Sequence, residues 1–366
     1  MDAEQIRKFL TGQSSPASTL EFLTNEFIEA VVARLNEPGT RRRMALYGGD
    51  RIPENERNLT DVRNRMSLLI EYKLAWVGND ILEEHGITDL FWTNVVANRF
   101  PDLELRDTAG RRGIRVEVKC LQAIAEEKSA NFDTLKKDLN PNTDYVVVFI
   151  WEWFRDQAAI AWDRAPKVLR AFVFHASSLA ELRDYNWLEN PPNTLGEGFQ
   201  GFDLRYAVNC RQGRYNEEEG NYGKLLRIWS DGVDYRPGLS DLLTATVVTY
   251  REFEDFTVWS GFEVLAPYLL LQLGVADPEK IAIDGKTIGY RAGNLAIIFK
   301  RRVPSTNGQR EITRDFAIER LIVLTDKYQW VEARQSGDRL ERYAYGRKPK
   351  HLALHLSGNS ALSDTD

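Results

Sequence analysis

Residues 101–121 read PDLELRDTAGRRGIRVEVKCL. The alternation of this stretch describes two strands joined by a turn. In the first, Leu103 and Leu105 point one way while Asp102, Glu104 and Arg106 point the other. In the second, Ile114, Val116, Val118 and Cys120 form an apolar face, and Arg115, Glu117 and Lys119 a polar one. Thr108-Ala109-Gly110 and Arg111-Arg112-Gly113 supply the turn, with glycines where a positive φ is needed. Folding about Gly110-Arg111 brings Asp102 opposite the segment holding Glu117 and Lys119. Residues opposite one another in an antiparallel pair share a face, so the three side chains meet.

Two carboxylates and a lysine on one edge define a chemistry. Carboxylate oxygens suit a hard divalent cation and leave positions open for water and phosphate. A lysine beside them positions that water or stabilises charge that develops on the phosphate. The plainer reading is a solvated hairpin face of mixed charge. Pro101-Asp102 followed by Glu117-Val118-Lys119 on the next strand resembles the PD-(D/E)xK nuclease superfamily, and within it restriction-endonuclease-like enzymes. The resemblance covers roughly residues 60–175. It implies Mg²⁺-dependent hydrolysis of a nucleic-acid phosphodiester, with Asp102 and Glu117 as metal ligands and Lys119 as the third catalytic group.

The elements around the hairpin fit that order. A helix over 59–84, capped near Asn58 or Thr60, carries a stripe of Val62, Met66, Leu69, Ile70, Leu74, Val77 and Ile81. Glu71 is the one acid between Val62 and Asn79 and shares a flank with Leu68, Ala75, Gly78 and Leu82. No base lies three or four residues from it. The superfamily often sends a glutamate from this helix to the metal. Glu71 is the candidate here, against a salt bridge to Lys119 or another base, or a hydrogen bond from Ser67. A strand is expected over 89–98 and a helix over 125–139. A doubly buried strand follows over 145–151, then a strand over 168–174 and a helix over 177–188.

Ahead of this core (59–190), residues 1–58 read as helical, with helices over 2–11 and 17–35. Pro38-Gly39 ends the second, and Arg41 to Arg43 with residues 47–50 form an exposed loop. Residues 191–239 read as a loop-rich insertion or linker with a short strand at 225–229. Residues 240–356 read as a C-terminal α+β extension suited to DNA recognition. It has a helix over 256–274 interrupted at Pro267, and a hairpin over 280–303 turning at Asp284-Gly285 or Ala292-Gly293. A helix-then-strand over 312–324 and strands over 328–333 and 340–345 follow. His351 and His355 share a face but have no nearby Cys, which favours a structural role. Residues 357–366 have the composition of a disordered tail.

The chain has 366 residues, 43% hydrophobic and 28% charged, with two cysteines, Cys120 and Cys210. Cys120 on the apolar strand face reads as a buried free thiol. No signal peptide or membrane-length apolar run is present, so a cytoplasmic protein without membrane attachment is expected. The net charge of −6 is unevenly spread: residues 291–350 hold 14 Lys+Arg against 7 Asp+Glu, and residues 1–290 hold 34 against 45. Lys300-Arg301-Arg302 and Arg347, Lys348 and Lys350 are the candidate phosphate contacts. No P-loop, dinucleotide fingerprint, G-x-S-x-G or internal repeat occurs, so no nucleotide cofactor is expected. The expected fold is an α/β, restriction-endonuclease-like mixed sheet flanked by helices. The expected protein is a homodimeric Mg²⁺-dependent endonuclease cutting double-stranded DNA at a defined sequence. Alternatives are a repair or defence nuclease acting on modified, damaged or branched DNA, and a non-catalytic DNA-binding module on the same core.

Overall fold

A computed structural model describes residues 2–46, 59–95, 100–125, 130–153, 165–189, 222–228, 240–272, 278–284, 287–300, 303–325, 330–337, 339–346 and 352. The chain is mixed α/β, with two mixed sheets and several helices. Its contacts divide it into two units: residues 1–122, 127–154 and 162–255, and residues 123–126, 155–161 and 256–366.

The first unit opens with α1 (Ala3–Leu10) and α2 (Pro16–Phe22). The latter is capped by Ser15, which accepts from the Ser18 N–H, and starts on Pro16, which has no N–H to leave unpaired. A π-helical turn, Leu23–Phe27, leads into α3 (Ile28–Leu35). Pro38 starts a further short helix, α4 (Pro38–Arg43), rather than ending one, for the same reason as Pro16. The basic triplet is therefore helical rather than looped. The long helix α5 is Thr60–Glu84. Leu59 takes the capping position without a side-chain bond, because the Thr60 hydroxyl accepts from Arg63 instead. Met66, Ile70, Leu74, Val77 and Ile81 are buried as the spacing requires, while Val62 and Leu69 are half-buried.

The five-stranded sheet runs in chain order: β1 (Leu90–Asn94), β2 (Leu103–Asp107), β3 (Arg112–Gln122), β4 (Asp144–Trp153) and β5 (Pro166–His175). Only β3 and β4 are parallel. Every residue of β4 is buried, as its unbroken apolar run requires. At the β2–β3 turn Asp107 accepts from the Ala109 and Arg111 N–H groups, and Gly110 sits at φ 80°. Gly113 is needed for a different reason. A Cβ there would lie 2.3 Å from the Leu10 carbonyl oxygen at the end of α1.

The connection from β3 to β4 departs from expectation. Among its described residues the only helical turn is the 3₁₀ segment Lys136–Asp138, not a helix over 125–139. Its backbone pairs with residues 222–225 instead: Phe132 N–H donates to Gly223, Leu225 N–H to Ala130, and Asn131 bridges Lys224. Tertiary pairing here overrides a helical sequence pattern. The partner segment holds a 3₁₀ turn, Leu225–Arg227, where a strand was expected. After β5 comes α6 (Ala176–Asp184), ending in a π-helical turn, Tyr185–Glu189.

The helix α7 (Asp241–Gln272) starts at Ser240, whose hydroxyl accepts from the Leu243 N–H, and runs through Pro267 without a break. The division between units falls inside it. Asp284 pairs with Thr287 and Ala292 with Leu295, so the chain reverses after both, giving β6 (Glu279–Asp284), β7 (Thr287–Ala292) and β8 (Leu295–Phe299), while Gly285 lies outside the described residues. Then come α8 (Thr306–Asp315), β9 (Arg320–Leu324), β10 (Trp330–Ser336) and β11 (Arg339–Gly346). The sheet order is β11-β10-β9-β8-β7-β6, with β8 and β9 parallel. Cys210, Arg301, Arg302, Arg347, Lys348, Lys350, His351, His355, residues 47–50 and residues 357–366 lie outside the described residues. Among the described residues no helix is long and apolar enough to cross a membrane.

Gly113→Ala is expected to destabilise the protein by about 1–3 kcal/mol, because the added methyl forces α1 off β3. Urea unfolding at matched slope measures this. A wild-type midpoint would mean that α1 is not seated on the hairpin.

Candidate active site

The β2–β3 ladder builds the site. Leu103 pairs with Val116, which sets Asp102 across from Glu117 at the open end of the hairpin. Asp102 Oδ2 accepts from the Val118 N–H at 2.7 Å, so its carboxylate is pinned to the strand that carries its partner. Lys119 Nζ donates to Glu117 Oε1 at 2.7 Å. Glu117 is only 8% exposed, and its other oxygen, Oε2, is buried with no hydrogen-bond partner. A buried carboxylate oxygen without a donor is costly, which makes it a position suited to a ligand. The three side chains line a cleft of about 770 Å³, shared with Asp133 and Thr134 of the β3–β4 connection.

Charge in this cleft is unbalanced. Burial raises the Glu117 carboxyl above its ordinary range; Lys119 opposes the shift, and Asp102 and Asp133 reinforce it. Burial works against the Lys119 ammonium, but Glu117, Asp102 and Asp133 more than offset it and hold its pKa above the usual lysine value. Lys119 is therefore a fixed cation at neutral pH. Glu71 on α5 rises from 4.5 to about 7, chiefly through burial, then through Asp102, with Lys119 in opposition and Glu117 adding to the rise. Glu71 makes no hydrogen bond or ion pair with the described residues, and the Ser67 hydroxyl donates to the Arg63 carbonyl rather than to it. Among the described residues neither a salt bridge to Lys119 nor a hydrogen bond from Ser67 forms, and Glu71 lies within electrostatic reach of Asp102, Lys119 and Glu117. Cys120 is half-buried rather than buried; its thiol reaches the Ser67 carbonyl at 3.8 Å, and burial pushes its pKa up.

Asp133 was not legible as a site residue, since it falls in a stretch patterned as a helix. Its placement is tightly held. Arg183, fully buried on α6, donates through Nη1 to the carbonyls of Phe132 at 2.7 Å and Thr134 at 3.1 Å, on either side of Asp133. Arg183 Nε also donates to Asp184, which accepts from the Tyr222 hydroxyl. The clamp presents Asp133 to Glu117 and Lys119.

Asp102, Glu117 and Asp133 line the cleft with Lys119, and Glu71 lies within electrostatic reach of Asp102, Glu117 and Lys119. The carboxylates' oxygen-only donor set and the orphaned Glu117 Oε2 fit a hard divalent cation. Among the described residues no three His, Cys, Asp or Glu side chains already converge as a metal cage. The far end of the cleft is cationic. Arg106 pairs with the buried Glu104, Arg112 lies 3.3 Å from the same carboxylate and is 64% exposed, and Arg115 pairs with the buried Asp144. Of the basic residues first assigned to phosphate, Lys300 alone is described. It follows β8, where its backbone N–H donates to the Leu324 carbonyl.

The raised Glu71 pKa gives a signed expectation. Its charged form is disfavoured in the fold, so the cost is absent below about pH 4.5, grows between 4.5 and 7, and is complete above 7. Glu71→Gln should match wild type at pH 4.5 and exceed it at pH 8. The gain should be about 1–2 kcal/mol once solvent screening of this half-buried group is included. Melting at the two pH values checks it, and a pH-independent difference would contradict the assignment.

Comparison with known proteins returned no matching family model, curated protein or solved structure.

Proposed function

We propose that the chain is a Mg²⁺-dependent endonuclease that hydrolyses phosphodiester bonds of double-stranded DNA, with Asp102, Glu117 and Glu71 as cation ligands. The observation that carries this reading is the pairing of Asp102 with Glu117 on adjacent strands, beside Lys119, with one Glu117 oxygen left unpartnered in the cleft. The element order supports it. The resemblance implies the order helix, strand, strand, strand, helix, strand; α5, β1 to β3 and β4 follow it, with a 3₁₀ turn in place of the second helix among the described residues of the connection.

A bound Mg²⁺ would lower the pKa of a coordinated water and offset charge on the phosphate in the transition state. The chain's own groups do the rest. The Val118 N–H keeps Asp102 facing the cleft through one oxygen. Lys119 is held protonated by its acidic neighbours, so it acts as a charge and not as a base, stabilising negative charge on the attacked phosphate. Glu71 must lose its proton to act as a ligand, so cleavage should rise with pH through about 7. Arg112, the most exposed of the cleft arginines, is placed to meet a neighbouring phosphate of the same strand. Two cuts on antiparallel strands are most simply made by a two-fold dimer, which the proposal includes.

Asp102→Ala, Glu117→Ala and Lys119→Ala should each slow cleavage of plasmid DNA in Mg²⁺ by about 10²–10³ or more. Near-normal cutting by any of them would remove the site. Arg112→Gln leaves Arg106 on Glu104 and should flatten the slope of log affinity against log salt, measured in Ca²⁺, by about 0.9. An unchanged slope would take Arg112 off the DNA.

A further inference from the structure

The two sheets follow one plan. In the first unit α5 precedes three antiparallel strands, β1 to β3. A crossover then leads to β4, parallel to β3, and β5 returns antiparallel. In the second unit α7 precedes three antiparallel strands, β6 to β8. A crossover containing α8 leads to β9, parallel to β8, and β10 returns antiparallel, with β11 added. Strand order within each sheet is sequential in both. No sequence repeat announces this.

The common plan locates the position in the second unit that corresponds to the site. In the first unit Cys120 turns toward Ser67 of α5, while Arg115, Glu117 and Lys119 face the cleft with the crossover residues Asp133 and Thr134. In the second unit Leu295, Ile297 and Phe299 pack against Phe262, Ala266 and Leu270 of α7. Ala296 and Ile298 instead pack with Ile312 of the crossover helix and with Ile318. Ala296 and Ile298, with Lys300 following by alternation, therefore lie on the face of β8 that corresponds to the Arg115, Glu117 and Lys119 face of β3. Across the hairpin, Ile298 pairs with Gly289, the counterpart of Asp102 across from Glu117. A Cβ at Gly289 would lie 2.9 Å from Ile298 and 3.0 Å from Ile281, so no side chain fits there. Both carboxylates are gone, and α8 fills the face that the first unit leaves open.

We infer that the described elements between Phe256 and Gly346 are a second, catalytically silent copy of the first unit's plan, so that, among the described residues, the cation and hydrolytic site is built once. The statement about hydrolysis rests on the nuclease reading; the statement about cation binding does not. A chain with one site makes one strand break, and a double-strand break needs two chains or two successive visits.

The test uses the full-length chain and two measurements. Mn²⁺ binding, followed by the electron-spin-resonance signal of the free ion, should vanish in Asp102→Asn/Glu117→Gln. Retention of any tight Mn²⁺ site in that variant, or no binding by wild type, would overturn the inference. Cleavage of supercoiled plasmid by Glu117→Gln should fall at least about 100-fold. Residual cutting that disappears when Lys300→Ala is added would reveal a second active site and also overturn it. A wild-type chain that binds Mn²⁺ through Asp102 and Glu117 but cuts no DNA would leave the single cation site standing and remove only the nuclease reading. Folding of the variants is checked by their melting temperatures.

Discussion

Antiparallel pairing of β2 with β3 presses two carboxylates together at the mouth of a partly dry cleft, and the rest of the first unit can be read from that constraint. Leu103 opposite Val116 fixes the register, and a slip by one residue would turn Asp102 and Glu117 to opposite faces. The turn holds the register through the Asp107 side chain, and Gly113 lets the end of α1 lie directly on β3. Like charges brought this close are tolerated because Lys119 is bonded to Glu117 within electrostatic reach of Asp102, and because Glu117 and Glu71 take up protons more readily than free carboxylates do. Such an arrangement is a poor way to stabilise a fold and a good way to hold a cation.

The β3–β4 connection decides whether a sheet of this plan carries a site. In the second unit a regular helix crosses over and buries Ile312 against Ile298, which closes the face. In the first unit the described part of the connection holds a bridge at Asn131 and a 3₁₀ turn at Lys136–Asp138 rather than a regular helix. Its hydrogen bonds go to residues 222–225, and Arg183 grips the carbonyls around Asp133. The face stays open, and a fourth carboxylate is delivered to it.

Features carried by local periodicity were legible in the sequence. The hairpin alternation, the α5 stripe and the apolar run of β4 each encode their own burial. Features set by partners distant in the chain were not legible. Gly113 looked like a turn residue, but its reason is the Leu10 carbonyl. Within the helical pattern of residues 125–139, the backbone of residues 130–132 is claimed by a segment about ninety residues away, so the 3₁₀ turn in place of a helix and the place of Asp133 beside Glu117 and Lys119 were hidden. Pro38 and Pro267 were read as helix breakers, yet one starts a helix and the other sits inside one. The repeated plan is a matter of strand pairing alone, with Glu117 answered by Ile298, and no residue-level similarity records it.

The most direct test of the central claim, that these carboxylates form a cation site, is the number of protons released when Ca²⁺ binds. Isothermal titration in buffers of different ionisation enthalpy gives this number. Glu71, with its pKa near 7, must be stripped of its proton to join the cation. Binding near pH 6.5 should therefore release a substantial fraction of a proton, and release should fade toward zero by about pH 8.5. Glu71→Gln should lose most of the release at pH 6.5. Binding without proton release at pH 6.5, or no binding at either pH, would contradict the account.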